Sequence, residues 1–386
     1  MKHPRLGNRM RFLVQSEIRH MTIECTRVSG INMSQGVCDT PVPEVVRRAA
    51  QAAIDEGVNT YTRYDGLPGL RAAIAKRLRE RNGIPVTGEG DLVVTSGSSS
   101  AFYGACLAIL DPGDDVVLFE PYYGYHAQTL TAVGVEARFV PMRPPEWSFD
   151  PAELERAVGP RTRAIVVNTP VNPCGKVFEE RELEAIADVA ERHDLFVITD
   201  EIYEHFVFDG RTHTSPGSLP RLRDRTITIG GFSKTFSITG WRIGFSAGPP
   251  AYLERLGYIN DLVYICAPAP LQQGVARALE VLPPSFYTDL SAEYQAKRDT
   301  FCAALSKAGL PPHVPQGAYY VLADLSRLPG ETSKDRVMHL LAEARVAAVP
   351  GSAFYSGSDG DHLARFCFAK TKEDLAEACR RLGRLS

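Results

Sequence analysis

Short apolar and β-branched runs alternate with helical patterns between about residues 91 and 247, and this alternation constrains the fold most strongly. Candidate strands cover residues 92 to 95, 116 to 119, 164 to 168, 195 to 199, 226 to 229 and 243 to 247. Between them, residues 179 to 193 repeat apolar side chains at spacings of three and four, as a helix does. Alternating strands and helices are typical of a mostly parallel sheet covered on both faces. We therefore predict a doubly wound α/β fold.

The segments before and after this region do not continue the regular alternation of strands and helices. A Pro-rich break, CAPAP, occupies residues 266 to 270, and a candidate strand at 363 to 368 and a final helix at 372 to 385 follow later. We predict a large α/β domain over residues 44 to 275, and a smaller α+β domain made of residues 1 to 43 and 276 to 386.

Composition argues against several classes of partner. The 386 residues are 44% hydrophobic and 23% charged, which is typical of soluble globular proteins. The 43 basic and 46 acidic side chains leave a net charge of -3, so no overall field attracts nucleic acid or an anionic membrane. No run approaches the roughly 18 apolar residues that a membrane helix needs. We expect neither a nucleic-acid nor a membrane partner.

The eight cysteines show neither C-x-x-C pairs nor the close spacing of a disulfide framework. Reduced, mostly buried thiols are the expected state, and they favour a cytoplasmic location.

One lysine, Lys234, lies in an unusual setting within GFSKTFSITGWRIG, residues 231 to 244. It stands between Ser233 and Thr235 just after a candidate strand, and Arg242 follows eight residues later. A lysine amine with a lowered pKa forms Schiff bases, and an arginine fork recognises phosphate. A phosphate-binding P-loop is excluded, because it requires glycine directly before the lysine. Unless Lys234 is an ordinary surface lysine, the pair indicates pyridoxal phosphate.

Other candidate strands are followed by groups that suit this cofactor. Ligands collect at the carboxyl ends of parallel strands. The run TSGSSS, residues 95 to 100, precedes a helix predicted at 101 to 110 and offers amides to a phosphate. Asp200 would pair with a pyridine nitrogen, and the Tyr203 hydroxyl would reach the phenolic oxygen of the ring. The Asn172 amide would bond a ring or a carboxylate oxygen, and Tyr123 would stack on the ring. The alternative for each residue alone is a helix cap, a core position or a plain turn.

These motifs resemble the class I and II aminotransferases of fold type I over essentially the whole chain. The most specific are SKTFSITGWRIG, TDEIYEHFVFDG, NTPVNPCG and LARFCF. NMSQG at residues 32 to 36, GAYYVLADLS from Gly317 and RFCFAK from Arg365 are most similar to the kynurenine/glutamine-type branch. The resemblance implies an enzyme that uses pyridoxal phosphate to move an amino group from an amino acid to a 2-oxo acid.

The resemblance also implies residue roles. Lys234 forms the Schiff base with the cofactor and then moves a proton between the α-carbon of the substrate and the cofactor. Asp200 pairs with the ring nitrogen, Tyr203 and Asn172 bond the phenolic oxygen, and Tyr123 stacks on the ring. The residues that would hold the phosphate are Gly97, Ser98, Ser99, Ser233 and Arg242.

On the substrate side, the resemblance assigns the α-carboxylate to Arg365, with Gly36 and Asn172 beside it. In the family a tyrosine of the partner subunit reaches the phosphate, and Tyr61 matches that position. A homodimer with shared active sites is therefore implied.

Some positions depart from the family pattern. Cys174 replaces the usual threonine or serine in the Asn-Pro turn, and Gly231 stands where some relatives carry a phosphate-binding serine. The kynurenine branch has an aromatic-histidine pair where this chain has Tyr264 and Ile265, which argues against kynurenine as the substrate.

Two alternatives to transamination remain open at this stage. The same cofactor chemistry supports a C-S β-lyase or another carbanion reaction, and a regulatory domain that senses the cofactor belongs to a different class. Aromatic or neutral amino donors are favoured, because several aromatic residues are candidates for an apolar pocket. These residues are Tyr64, Tyr123, Tyr264, Tyr319 and Phe354.

Overall fold

The computed structural model describes residues 6 to 385, without the side chains of residues 8 and 9. Its strands are β1 (Ile31–Asn32), β2 (Leu92–Thr95), β3 (Asp115–Glu120), β4 (Glu136–Pro141), β5 (Thr162–Asn168), β6 (Phe196–Asp200), β7 (Thr226–Gly231), β8 (Gly244–Ala247), β9 (Pro312–His313), β10 (Tyr320–Asp324), β11 (Val346–Ala347), β12 (Val349–Pro350) and β13 (Leu363–Cys367). Its α-helices are α1 (Glu17–Arg27), α2 (Glu44–Asp55), α3 (Pro68–Arg77), α4 (Ser98–Ile109), α5 (Gly124–Val133), α6 (Pro151–Ala157), α7 (Glu180–Arg192), α8 (Pro250–Tyr264), α9 (Ala269–Val281), α10 (Pro284–Lys307), α11 (Ser333–Ala344) and α12 (Lys372–Leu382).

The largest sheet has seven strands in the order β2-β8-β7-β6-β5-β3-β4. Only β8 runs antiparallel to its neighbours, which confirms a mostly parallel sheet. All six strands predicted in this region are present, but β4 was not predicted. It lies at the sheet edge and only one of its six residues is buried, so its sequence lacks a strong apolar run.

Helices cover both faces of this sheet, as the doubly wound prediction requires. Val166 of β5 and Ile198 of β6 pack on one face with residues of α4, α5 and α8. Val167 and Val197, the adjacent residues on the same strands, pack on the other face with α6 and α7. Successive strand residues point to opposite faces, so the two apolar layers follow from the sequence of each strand.

A second core joins the two ends of the chain. Strands β12-β13-β10-β9 form an antiparallel sheet, and β1 pairs with β11. Buried residues of α1, α10, α11 and α12 pack in one cluster with β10 and β13. The predicted strand at 363 to 368 ends one residue early, at Cys367, and the final helix ends at Leu382. The domain division proposed above stays a prediction, and its residues 1 to 5 and 386 lie outside the described part.

Within residues 6 to 385, no helix combines the length and the apolar character that crossing a membrane requires. All eight cysteines are free thiols, and six of them are buried, as the sequence predicted.

Candidate active site

A cleft of about 430 Å³ opens at the carboxyl ends of the large sheet, where it meets the N-terminal segment and β13. It collects most of the residues that the sequence singled out. Those that line it are Gly36, Ser98, Ser99, Tyr123, Asn172, Asp200, Tyr203, Ser233, Lys234, Arg242 and Arg365. Residues from seven separate segments therefore converge on one site.

Gly97 and Tyr61 are the two predicted site residues outside this lining. Gly97 lies directly behind Arg242, because a β-carbon on Gly97 would stand 2.3 Å from the Arg242 Nη2 atom. Tyr61 is 77% exposed on the surface of this chain. Its role in a partner's site stays a prediction.

One end of the cleft has the composition of a phosphate site. Helix α4 begins at Ser98, three residues earlier than predicted, so Ser98 and Ser99 lie in its first turn. The Arg242 guanidinium donates to the backbone carbonyls of Thr239 and Ser96, over 3.0 and 3.5 Å, and neither partner carries a formal charge. Within residues 6 to 385 no acidic side chain pairs with Arg242, and such an arginine suits an anion together with the amides and hydroxyls of the first helical turn.

The Lys234 amine lies at the centre of the site. Its Nζ donates to the carbonyl oxygen of Gly36 over 2.9 Å and lies about 6 Å from the ring centres of Tyr203 and Tyr319. Burial lowers the pKa of Lys234, and the positive charges of Arg242 and Arg365 lower it further, while nearby thiols oppose the shift. A larger fraction of this amine is therefore neutral, which is the form that attacks a carbonyl carbon.

Asp200 is buried and its carboxylate is held in place from two directions. Its Oδ2 atom lies 3.0 Å from Nε2 of His126, and Oδ1 accepts from the Ile202 amide over 3.2 Å. The His126 ring packs against Phe102 at 4.4 Å and meets the edge of Tyr123 at 5.2 Å between ring centres. Sequence reasoning missed His126, because a single histidine within a helix has no spacing signal.

Arg365 is fully buried, yet no carboxylate pairs with it in the described part of the chain. Its Nη1 donates to the Asn172 side-chain oxygen over 2.9 Å, and its Nη2 donates to the Ser34 carbonyl. The guanidinium lies 4.2 Å from the centre of the Tyr320 ring. A buried arginine with neutral partners is suited to a carboxylate supplied by a ligand.

The floor of the cleft beside Arg365 is closely packed. A β-carbon on Gly36 would stand 1.8 Å from the Tyr320 hydroxyl oxygen, so a side chain has no room there. The hydroxyl oxygens of Tyr203 and Tyr320 lie 2.9 Å apart. Tyr320 thus packs against Gly36 and contacts the Tyr203 hydroxyl. The sequence around Tyr320 did not predict either contact.

Most of the aromatic residues that the sequence suggested for the substrate pocket do not line the cleft. Tyr123 lines the cleft, but Tyr319 and Phe354 are fully buried core residues that do not line it. Tyr64 packs against Tyr258, and Tyr264 accepts a hydrogen bond from the Ser96 amide. The aromatic side chains that line the cleft are Phe102, Tyr123, Tyr125, Tyr203 and Tyr320.

The cleft fits pyridoxal phosphate. It supplies an amine of lowered pKa, a buried carboxylate and an anion site in one cavity. The absence of a side chain on Gly97 lets the Arg242 guanidinium lie against the backbone at the start of α4, because a β-carbon there would stand 2.3 Å from Nη2. This set of groups defines a site for a pyridoxal phosphate enzyme of fold type I.

Comparison with known proteins agrees with this class. Residues 28 to 382 match the family of class I and II aminotransferases, and the chain belongs to that family. The solved N-succinyldiaminopimelate aminotransferase from Mycobacterium tuberculosis is similar, with a TM-score of 0.95 and 36% identity over 99% of this chain and 100% of that one. The chain is therefore a pyridoxal phosphate-dependent aminotransferase.

Two further relatives are similar over most of their length. The kynurenine–oxoglutarate transaminase 3 of rat is 32% identical over 93% of this chain and 87% of its own. The aromatic-amino-acid aminotransferase 2 of Thermococcus litoralis is 33% identical over 98% of both chains. The predicted resemblance to the family, with the kynurenine branch among its matches, is confirmed.

Proposed function

We propose that this enzyme takes the amino group of an aromatic or neutral amino acid and passes it to a 2-oxo acid, with Lys234 as the group that moves the proton. The observation that carries the proposal is the convergence of Lys234, Asp200 and Arg365 on one cleft. Bound pyridoxal phosphate supplies an electron-poor ring that stabilises negative charge at the substrate α-carbon. Lys234 then acts as general base and acid at that carbon, because its pKa is lowered by burial.

Further residues hold the cofactor. Asp200, oriented by His126, would keep a proton on the ring nitrogen. Tyr203 and Asn172 would donate to the phenolic oxygen, and Tyr123 would pack against the ring. The phosphate would be held by Gly97, Ser98, Ser99, Ser233 and Arg242, with Tyr61 from the partner subunit.

Substrate orientation would depend on Arg365. Its Nη1 donates to Asn172 and its Nη2 to the Ser34 carbonyl, and an α-carboxylate bound in the cleft beside them would form a charge-assisted pair. Phe102, Tyr125 and other apolar side chains line the same cleft and support aromatic or neutral donors. The aromatic specificity in the name of the Thermococcus relative agrees with this choice.

We also propose a homodimer with shared sites. Large apolar side chains are exposed along α8 and the segment before α3, including Leu262 at 84%, Val263 at 56% and Tyr61 at 77%. Exposed apolar residues concentrated in this way are typical of protein interfaces. A second copy that covers them would bring its Tyr61 to the neighbouring site.

A cytoplasmic location is part of the proposal. Eight free thiols without a disulfide support a reducing compartment.

The experiment that tests the function is an absorbance titration of the purified holoenzyme with a panel of amino acids. Productive donors will convert the cofactor from its aldehyde-derived to its amine form, and a 2-oxo acid will reverse the change. Release of pyruvate and ammonia from a cysteine conjugate, without an oxo acid acceptor, would instead support the lyase. A panel in which no amino acid changes the spectrum would refute transamination.

A further inference from the structure

The segment from Gly36 to Thr40 lies beside the loop between β7 and β8 that carries Lys234. The Cys38 thiol donates to the backbone carbonyl oxygen of Lys234 over 3.5 Å. The hydroxyl oxygens of Thr40 and Ser237 lie 2.6 Å apart and share a hydrogen bond. This segment therefore contacts the loop at the Lys234 amine, at the Lys234 backbone and again three residues further along the chain.

The residue between Cys38 and Thr40 contacts a different part of the molecule and anchors the segment. The Asp39 amide donates to the carbonyl oxygen of Ala369 over 3.2 Å, and its Oδ2 atom lies 2.8 Å from Nζ of Lys370. Both partners follow directly after β13. Neighbouring residues of an extended chain point to opposite sides, so the segment can hold the end of β13 on one side and the lysine loop on the other.

The backbone of the loop is weakly bonded and strained close to Lys234. The Lys234 carbonyl oxygen accepts from the Ser237 amide over 3.4 Å, which is long for a backbone hydrogen bond. Ser237 has a φ of +55°, a left-handed conformation that is unfavourable for serine. Such a conformation persists where surrounding contacts enforce it, and the Thr40 hydroxyl provides a contact at this residue.

The Cys38 thiol is suited to a donor role. It is buried in the core that α1, α10 and β13 share, and burial raises its pKa. The sulfur therefore keeps its proton near neutral pH and can donate to the Lys234 carbonyl. Because a thiol is a weak donor, the hydroxyl pair of Thr40 and Ser237 should be the stronger of the two contacts.

The position of the loop backbone matters for the reaction, because the lysine amine stands at the end of a flexible four-carbon stem. A misplacement of about 1 Å can slow an oriented reaction by about 10²-fold. The Gly36 carbonyl holds the amine itself, and this contact ends when the amine turns to the substrate. The contacts of Cys38 and Thr40 are made to the Lys234 backbone and to Ser237, so they can persist while the amine moves.

We propose that Thr40 and Cys38 are positioning residues for Lys234, and that they hold the backbone of its loop so that the amine reaches the substrate α-carbon. This inference rests on the proposed function and adds two residues to its proton-transfer step. Neither residue is among those that line the cleft, so both act through the loop and not on the cofactor or the substrate.

The test uses one variant of each residue with a matched control. Thr40→Val removes the hydroxyl and keeps the side-chain shape, and Thr131→Val is its control, since the half-buried Thr131 donates to Ala127 within α5 over 3.1 Å. Cys38→Ala is compared with Cys302→Ala, because both thiols are 6% exposed and belong to the same core. Each cofactor-loaded enzyme would be mixed with a productive amino acid, and stopped-flow absorbance would follow conversion of the cofactor to its amine form.

The rate constant at saturating amino acid should fall about tenfold in Thr40→Val, less in Cys38→Ala, and stay within about twofold of wild type in both controls. The amino acid concentration that gives half the maximal rate should change by less than about twofold, because the groups that bind the substrate are intact. Partial unfolding would instead lower the amplitude and leave the rate constant unchanged. An α-deuterated amino acid should give an isotope effect at least as large as in wild type, since the slowed step is proton transfer.

Two further variants separate the hydrogen bond from the packing around it. Thr40→Ser keeps the hydroxyl, so its rate should stay within about threefold of wild type. Thr40→Val combined with Ser237→Ala should cost less than the product of the two single losses, because both changes remove the same bond.

A Thr40→Val enzyme as fast as its Thr131→Val control, or a Thr40→Ser enzyme as slow as Thr40→Val, would overturn the inference. The rate of Lys234→Ala separates this result from failure of the proposed function. If Lys234→Ala is slow while both Thr40 variants are fast, only the positioning role is wrong. If Lys234→Ala converts the cofactor at the wild-type rate, the proposed proton transfer by Lys234 is itself refuted.

Discussion

The amine of Lys234 donates a hydrogen bond to the carbonyl oxygen of Gly36 over 2.9 Å. This bond joins the loop after β7 to the segment between β1 and α2, 198 residues apart in the chain. The Tyr319 hydroxyl donates to the same carbonyl at 3.3 Å. The backbone at Gly36 therefore helps to position the Lys234 amine.

Replacing Gly36 with alanine should disrupt this arrangement. The added β-carbon would stand 1.8 Å from the Tyr320 hydroxyl oxygen, so the backbone or the ring must move. We expect the free energy of unfolding to fall by about 1 to 3 kcal/mol, as for other overpacked sites. Urea denaturation would measure it, with Gly69→Ala as the control because a β-carbon there meets nothing within 4 Å. Equal stability of both variants would contradict the packing described.

Replacing His126 with leucine should weaken cofactor binding. The Asp200 carboxylate would lose its 3.0 Å partner and keep only the Ile202 amide among the contacts described above. Loss of a hydrogen bond to a charged group costs about 1.5 to 3 kcal/mol, so the Kd for pyridoxal phosphate should rise roughly ten- to hundredfold. His193→Leu is the control, since His193 pairs with Glu155 at the surface. Similar Kd values for the two variants would argue against a positioning role for His126.

The lowered pKa of Lys234 predicts a pH profile for cofactor capture. Only the neutral amine reacts, so the rate at which apoprotein captures the cofactor should rise with pH and level off once pH exceeds the pKa. Because burial lowers this pKa, the plateau should begin below about 10.4, the value for free lysine. Arg365→Met removes a positive charge that lowers the pKa, so its profile should move to higher pH. Stopped-flow absorbance would show this, and a wild-type rate still rising at pH 10.4 would refute it.

Shared sites predict complementation between two inactive variants. If Tyr61 serves the partner's site, a hybrid of Tyr61→Ala and Lys234→Ala subunits contains one site with both residues intact. Random pairing into closed two-fold dimers should restore roughly a quarter of wild-type sites. The activity of the two proteins, unfolded and refolded together, would measure this recovery. Sedimentation should show dimers, and a mixture no more active than its parts would argue against sharing.

Much of the sheet was predictable because its central strands are short, buried and β-branched. The strand 226 to 229 and the polar residues after it, Ser233 and Lys234, were identified from pattern and motif alone. The edge strand β4 was missed, since it is partly exposed and lacks that pattern. The helix predicted from residue 101 begins earlier in the structure, at Ser98. Serines in the first turn of a helix resemble residues that cap it, so the pattern did not distinguish the two.

The parts of the site that escaped prediction are contacts between distant segments. His126 reaches Asp200 across 74 residues, and Tyr320 meets Tyr203 across 117. Arg19 lines the cleft, although it lies far from the large sheet in sequence, because α1 packs into the core that it shares with β10 and β13. Such contacts depend on how the elements pack, which local patterns do not encode.

The proposed mechanism assigns to Lys234 the transfer of the proton at the substrate α-carbon, and the single-turnover rate of Lys234→Ala tests this role most directly. The variant, loaded with cofactor, would be mixed with a productive amino acid, with the exposed Lys76→Ala as control. General acid-base catalysis contributes about 10²- to 10⁴-fold. Conversion of the bound cofactor to its amine form should therefore slow by at least about 10²-fold, while the cofactor stays bound. A Lys234→Ala enzyme that converts the cofactor at the wild-type rate would contradict the mechanism.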